Sequence, residues 1–128
     1  MSIITKMRRQ NGIYWPPDGA NDFGQKKFKT LVELILSDSG INYMVRWEDS
    51  MIEYINAQGS TELSNAVVYV PLLPDGSEVE LGGYLWLGNK EQLQDEADPF
   101  ANTKAREVQR FEKMPNLKNT ESLRSAYL

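Results

Sequence analysis

Between Ile41 and Glu48 the side chains alternate without a break: Ile41, Tyr43, Val45 and Trp47 fall on one face of an extended chain, and Asn42, Met44, Arg46 and Glu48 on the other. Successive side chains of a strand point to opposite faces, so this alternation specifies a strand buried on one side and wetted on the other. Turn-forming residues recur at short intervals around it, at Asn11-Gly12, Pro16-Pro17, Asp18-Gly19, Ser37-Asp38-Ser39-Gly40, Leu73-Pro74-Asp75-Gly76 and Gly82-Gly83. Glycine and proline set the backbone at such places and keep the intervening elements short. The expected fold is therefore mainly β: a small antiparallel β-barrel or sandwich with one short helix and extended N- and C-terminal arms. At 128 residues there is room for one core.

Three segments are expected: an N-terminal arm over 1–27, a β-barrel domain over 28–115 and a C-terminal tail over 116–128. In the arm only a short extended piece around Ile13 to Trp15 is anticipated. Phe28 to Leu36 is contested, because Leu31, Leu34 and Ile35 fit a helical face while Val32, Leu34 and Leu36 alternate; strand is favoured, paired through Ser37 to Gly40 with the strand at Ile41. Asp49-Ser50 reads as a bulge, with Met51 to Ile55 extended beyond it. Asn56 to Asn65 reads as a loop of about ten residues, longer than a hairpin needs. Ala66 to Val70 is a strand, Leu73 to Gly76 a turn, and Glu78 to Leu81 with Tyr84 to Leu87 a strand kinked at Gly82-Gly83. Asn89 and Gln92 have capping-box spacing, predicting a helix over Lys90 to Ala97, with Asp98-Pro99 capping a further helical turn. Arg106 to Glu112 is a final strand, with Ala101, Ala105 and Val108 leaving a helix open. Asn116 to Leu128 is too polar to offset its own ordering entropy, roughly 1 to 2 kcal/mol per residue for the backbone, and needs the body or a partner.

Charge is sorted along the chain. Residues 1–30 hold six Lys/Arg against two Asp/Glu, residues 31–100 two against thirteen, and residues 101–128 six against three. An acidic body with basic ends suggests assembly, the ends reaching for what the body repels. Cysteine and histidine are both absent. That removes disulfides, thiolate nucleophiles, the usual general base and the commonest transition-metal ligands together. No apolar run approaches the ~20 residues of a spanning helix, and the first ten residues do not read as a signal peptide. A cytosolic origin and no membrane association are expected.

The candidate chemistry is thin. Asp95-Glu96-Ala97-Asp98 spells a helicase-like acidic motif, but no phosphate-cradling glycine loop accompanies it, and a solvated helix end is favoured. Glu48, Asp49 and Glu53 suit acid-base work or a hard cation only if they converge; a solvated strand edge is favoured. Gly82-Gly83 lacks the rest of a dinucleotide fingerprint. Trp47, Tyr69, Tyr84 and Trp86 would make a base-stacking platform only with interleaved Lys and Arg, which residues 31–100 nearly lack, so core packing is favoured. No catalytic, metal or cofactor-binding residue is assigned, and no cofactor or enzymatic activity is expected. Trp15, beside Pro16-Pro17, either tucks onto its own barrel or anchors in a neighbour's pocket.

The order Asp22-Phe23-Gly24-Gln25, then Val45-Arg46-Trp47-Glu48-Asp49, then Ala66-Val67-Val68-Tyr69-Val70 after a polar loop resembles head-tail joining proteins of tailed bacteriophages. The closing run Val108-Gln109-Arg110-Phe111-Glu112-Lys113-Met114-Pro115-Asn116-Leu117-Lys118, ending in Leu123-Arg124 and Tyr127-Leu128, is similar to small neck proteins of phages and prophages. The resemblance implies a head-completion or stopper protein of the virion neck, made in the host bacterial cytoplasm. It implies a homo-oligomeric ring, a hexamer or dodecamer, between a portal or adaptor ring and the tail-terminator or tail proteins. The ring would close the filled head while DNA passes without sequence-specific binding. A lumen loop is implied at Asn56 to Asn65, with Gln58, Gly59, Ser60 and Thr61 at its tip; an ordinary surface loop is the alternative. Intersubunit contacts are expected from Trp15, Phe23, Leu117, Leu123, Arg124, Tyr127 and Leu128. Rival readings are a tail-terminator ring and a free-standing β-barrel module binding peptide or nucleic acid.

Overall fold

The computed structural model describes residues 8–20, 23–55, 58–102, 104–115 and 122–128. Ten strands account for most of the regular structure: β1 (Gly12–Trp15), β2 (Pro17–Ala20), β3 (Lys26–Phe28), β4 (Val32–Leu34), β5 (Arg46–Ile55), β6 (Thr61–Val70), β7 (Tyr84–Leu87), β8 (Arg106–Glu107), β9 (Arg110–Pro115) and β10 (Ser122–Tyr127). They form a first sheet in the order β4-β1-β7-β8, a second in the order β5-β6-β10-β9, and a small β2-β3 hairpin. Every pairing is antiparallel.

The two four-stranded sheets face each other across one core. Tyr14, Leu34 and Leu85 come from the first sheet and Ala66, Val68, Val70 and Ala126 from the second, with Val45, Val108 and Leu128 between them. The first sheet is covered on its other face too. There Ile13, Trp15 and Tyr84 meet Phe28, Leu31, Trp86, Leu93 and Ala105. β1 is thus buried on both faces, which is why Gly12-Ile13-Tyr14-Trp15 is a continuous apolar run rather than an alternating one. The inner Tyr14 hydroxyl accepts a hydrogen bond from the Glu80 N–H at 2.8 Å, the polar tip finding a partner as burial requires.

The sheets share two corners. Gln10 and Val45 exchange both backbone hydrogen bonds, each 2.8 Å, and so tie the start of β1 to the start of β5. On the other side the chain leaves β8, exchanges backbone bonds between Val108 and the Gly82-Gly83 pair, and enters β9 beside β10. Strands that switch sheets make such corners in orthogonal sandwiches. Gly83 is needed there, because a Cβ on it would stand 2.6 Å from Tyr14 Cε1 and 2.9 Å from the Trp15 carbonyl oxygen. The mainly β expectation holds, with the sandwich form rather than a closed barrel.

Several local expectations change. Ser37 to Gly40 does turn, with the Ser37 N–H bonded to the Ile41 carbonyl, and its arms pair briefly, through the Leu36↔Asn42 bridge and the Tyr43 N–H on the Ile35 carbonyl, before they part to different sheets. β4 pairs with β1 and β5 with β6, because the apolar faces are better buried between sheets than against a local neighbour. The alternation at Ile41 begins outside the ladder: Ile41 is exposed, Val45 buried, and the strand starts at Arg46. The bulge expected at Asp49-Ser50 is there, as a register shift between Asp49 and Ile52. Glu78 to Leu81 is not a strand.

The expected helix is reduced to one 3-10 turn, Lys90–Gln92, in which the Asn89 N–H donates to Gln92 Oε1 at 2.9 Å. What stops it is a clamp. Buried Asn102 accepts from the N–H groups of Gln94 and Asp95 and donates to the carbonyls of Asp95 and Asp98, holding the acidic run in an open loop. Asp98 then caps a second 3-10 turn, Pro99–Ala101, by accepting from the Phe100 N–H.

The ends are woven into the sheets. β1 lies between β4 and β7, and β10 lies between β6 and β9, so the boundaries expected at 27 and 115 do not divide ends from core. Trp15 is fully buried, its indole N–H donating to the Glu96 carbonyl at 2.8 Å, and Leu128 is buried in the main core. Neither is available to a neighbouring subunit; each fills its own chain's interior, where a large apolar side chain gains roughly 1.5 to 3 kcal/mol.

Candidate functional site

The most distinctive surface feature is the β5-β6 hairpin. β10 pairs with β6 over Val67 to Val70, and the Leu128 N–H reaches the Ala66 carbonyl. From Thr61 to Asn65, among the described residues, β6 pairs with β5 alone, through Ile52↔Ser64, Glu53↔Leu63, Tyr54↔Glu62 and Ile55↔Thr61. The end of the hairpin is therefore a two-stranded ribbon extending past the sheet by about 14 Å at ~3.4 Å per residue. The second half of the expected loop over Asn56 to Asn65, from Thr61 on, is strand, since ladder bonding needs only backbone groups and carries through the polar stretch. The true tip is short. Gln58, Gly59, Ser60 and Thr61 are all exposed there, and Gly59 takes φ 85°, a left-handed turn conformation that glycine adopts without steric cost.

Beyond Arg46 the hairpin's sequence is acidic. No Lys or Arg occurs between Arg46 and Lys90, whereas Glu48, Asp49, Glu53 and Glu62 all belong to β5 or β6. Glu48 is held by Arg46 Nε at 2.8 Å, and Asp49 accepts from Trp47 Nε1 at 2.9 Å. Glu48 and Asp49 are thus engaged by separate neighbours and do not converge, and no group of three Asp or Glu suited to a metal ion occurs among the described residues.

The basic residues of the chain's last third meet the acidic body within the same molecule. Lys113 Nζ and Arg124 Nε both reach Glu78 Oε1 at 3.1 Å. Burial pushes the Glu78 carboxyl up, but the hydrogen bonds from these two cations outweigh it and hold it below the usual range. Arg106 lies 3.8 Å from Asp49, and Tyr127 donates to Glu112 at 3.1 Å. Of the expected intersubunit residues, Arg124 and Tyr127 therefore serve the chain's own second sheet, and Leu123 is half-buried opposite Met114. Phe23 is 89% exposed at the β2-β3 turn. Leu117 lies outside the described residues.

The aromatic platform considered from the sequence is half present. Tyr84 joins Phe28 and Phe100 in an edge-to-face trio with centroids 5.0 to 5.7 Å apart, and Tyr69 sits elsewhere on β6. Trp47 and Trp86 do share one cleft, with Asp49, Leu87, Lys104 and Arg106. Sequence reasoning missed it because Lys104 and Arg106 lie outside the acidic middle of the chain; the β7-β8 pairing carries them to the tryptophans. No family model matches the chain, and no curated protein or solved structure matches it.

Proposed function

We propose that this protein is a structural ring component of a tailed-bacteriophage neck that closes the DNA-filled head, with the β5-β6 ribbon as the closing element. The observation that carries the reading is the ribbon itself: a two-stranded projection whose sequence holds Glu53 and Glu62 and no Lys or Arg, ending in an uncharged, glycine-containing tip. An isolated two-stranded ribbon is marginally stable on its own and gains from being packed against copies of itself around an axis. Its carboxylates repel a duplex that bears about one negative charge per 1.7 Å, so DNA is not retained by counterion release and passes when the ribbons part. The tip amide and hydroxyls of Gln58, Ser60 and Thr61 suit hydrogen bonds between symmetry-related copies. The sandwich supplies the rigid wall, and its neighbours in this reading are the portal or adaptor ring on one side and tail proteins on the other.

The test is a particle in which Gln58 to Thr61 are replaced by a tight two-residue turn. Filled heads are expected to form, take up the ring and then release DNA, read as nuclease-sensitive genome. Particles that retain their DNA as the parent does would exclude the ribbon as the closure.

A further inference from the structure

A groove lies on the side of the first sheet away from the main core, between residues 25–33 and the loop 90–100. Two hollows of about 490 and 570 Å³ adjoin in it at Ala97, which lines both. Each falls within the roughly 300 to 1,000 Å³ of ordinary ligand pockets, so the groove has room for successive units of a chain. Phe28 and Leu31 line it from the cluster around Ile13, Trp15 and Tyr84. The opposite wall is held still, because Asn102 clamps the backbone at Gln94, Asp95 and Asp98 and the Trp15 indole takes the Glu96 carbonyl. Phe100 is fixed by the Asp98 carboxylate on its N–H, at 2.9 Å, and by edge-to-face contacts with Phe28 and Tyr84, yet it stays 59% exposed. An exposed ring so held is a ready platform, and its preordering lowers the cost of binding.

Charge decides what kind of chain the groove takes. Its lining offers the ammonium groups of Lys26, Lys27 and Lys90 and the carboxylates of Glu33, Glu96 and Asp98, equal in number. Lys26 also pairs with Glu107 at 3.0 Å, which leaves no surplus of positive charge to draw a phosphate backbone. A polycation would meet the ammonium groups in the same way. Hydroxyl groups suit both walls, because each can donate to a carboxylate and accept from an ammonium group. Lys90 stands 3.9 Å from Glu33 and 3.9 Å from Glu96, beyond hydrogen-bond range, a gap of the kind that one bridging oxygen closes. We infer that the groove binds an uncharged oligosaccharide, one pyranose ring lying with its C–H face on Phe100 and hydroxyls of a neighbouring unit bridging Lys90 to Glu33 and Glu96. The β5-β6 ribbon takes no part in this, so the inference stands apart from the neck reading.

The test is a titration of the isotope-labelled full chain with maltohexaose, cellohexaose, mannohexaose and N-acetylchitohexaose, followed by amide chemical shifts. Saturable shifts at Thr30, Ala97 and Phe100 are expected with at least one of them. Phe100→Ala should weaken that binding by about ten-fold or more, and Phe100→Trp should preserve it, since either ring supplies the platform. Lys90→Met, which keeps the length of the side chain and removes the donor, should weaken it too, and reads the groove independently should Phe100→Ala disturb the fold. Met114→Ser, on the second sheet, should leave it unaltered. No saturable shift with any of these sugars overturns the inference, as does binding that both Phe100→Ala and Lys90→Met leave intact. Oligothymidylate or an uncharged peptide that moves the same amides where the sugars do not would assign the groove to another polymer and overturn it as well. All of these outcomes leave the ribbon to be judged by the DNA-release experiment.

Discussion

Tyr14 and Gly83 show how little slack the sandwich has. Burial of Tyr14 raises its phenol to about 12, partly countered by the hydrogen bond from the Glu80 N–H. A group whose folded value lies above its unfolded value, near 10, contributes stability that is complete below pH 10 and lost as the pH climbs toward 12. Tyr14→Phe should therefore cost about 1 kcal/mol near neutrality, from the lost hydrogen bond, and flatten the alkaline limb of a stability profile between pH 10 and 12. Urea titrations at several pH values would show both; an unchanged alkaline limb would mean the phenol is solvated. Gly83→Ala places a methyl against Tyr14 and the Trp15 carbonyl and should lower the urea midpoint by the equivalent of about 1 to 3 kcal/mol. A neutral result would mean that the corner gives way easily.

Elements were legible where local chemistry was decisive. The turn at Leu73 to Gly76, the bulge after Asp49 and the Asp98-Pro99 cap follow from residues a few positions apart, and all are present. Pairing was not legible, because β1 and β10 find their partners far away in sequence. Nothing in Ser122 to Tyr127 announces an interior strand, since Ala126 rests on the core while Arg124, on the same face, and Tyr127, on the other, turn to charged partners. The lost helix is explained in part by a distant residue: Trp15 takes the Glu96 carbonyl, while Asn102, just beyond the expected helix, takes backbone groups of Gln94, Asp95 and Asp98. Removing 122–128 should accordingly unfold the protein rather than trim a tail, because β6 and β9 both lose their ladder partner and the core loses Ala126 and Leu128. Circular dichroism and hydrogen exchange would reveal it, and a truncated chain with native exchange protection would show that β10 is an accessory.

For the whole molecule, the sorted charge acquires a structural meaning. Lys113, Arg124 and Arg106 come from the basic last third and sit against carboxylates of the acidic middle, so part of the asymmetry is satisfied within one chain. The sequence of the β5-β6 hairpin keeps Glu53 and Glu62 on its outer part, and no Lys or Arg occurs from Trp47 to Asn89. The candidate tip residues could be named from the sequence as a polar segment around Gly59. That they end a projecting ribbon could not, because this follows from how far β10 extends along β6. Electron microscopy of the assembled neck tests the central claim most directly. The account predicts a closed ring with the Ile52 to Leu63 hairpins pointing inward and meeting near the axis; a ring whose hairpins point outward, with an open lumen, would contradict it.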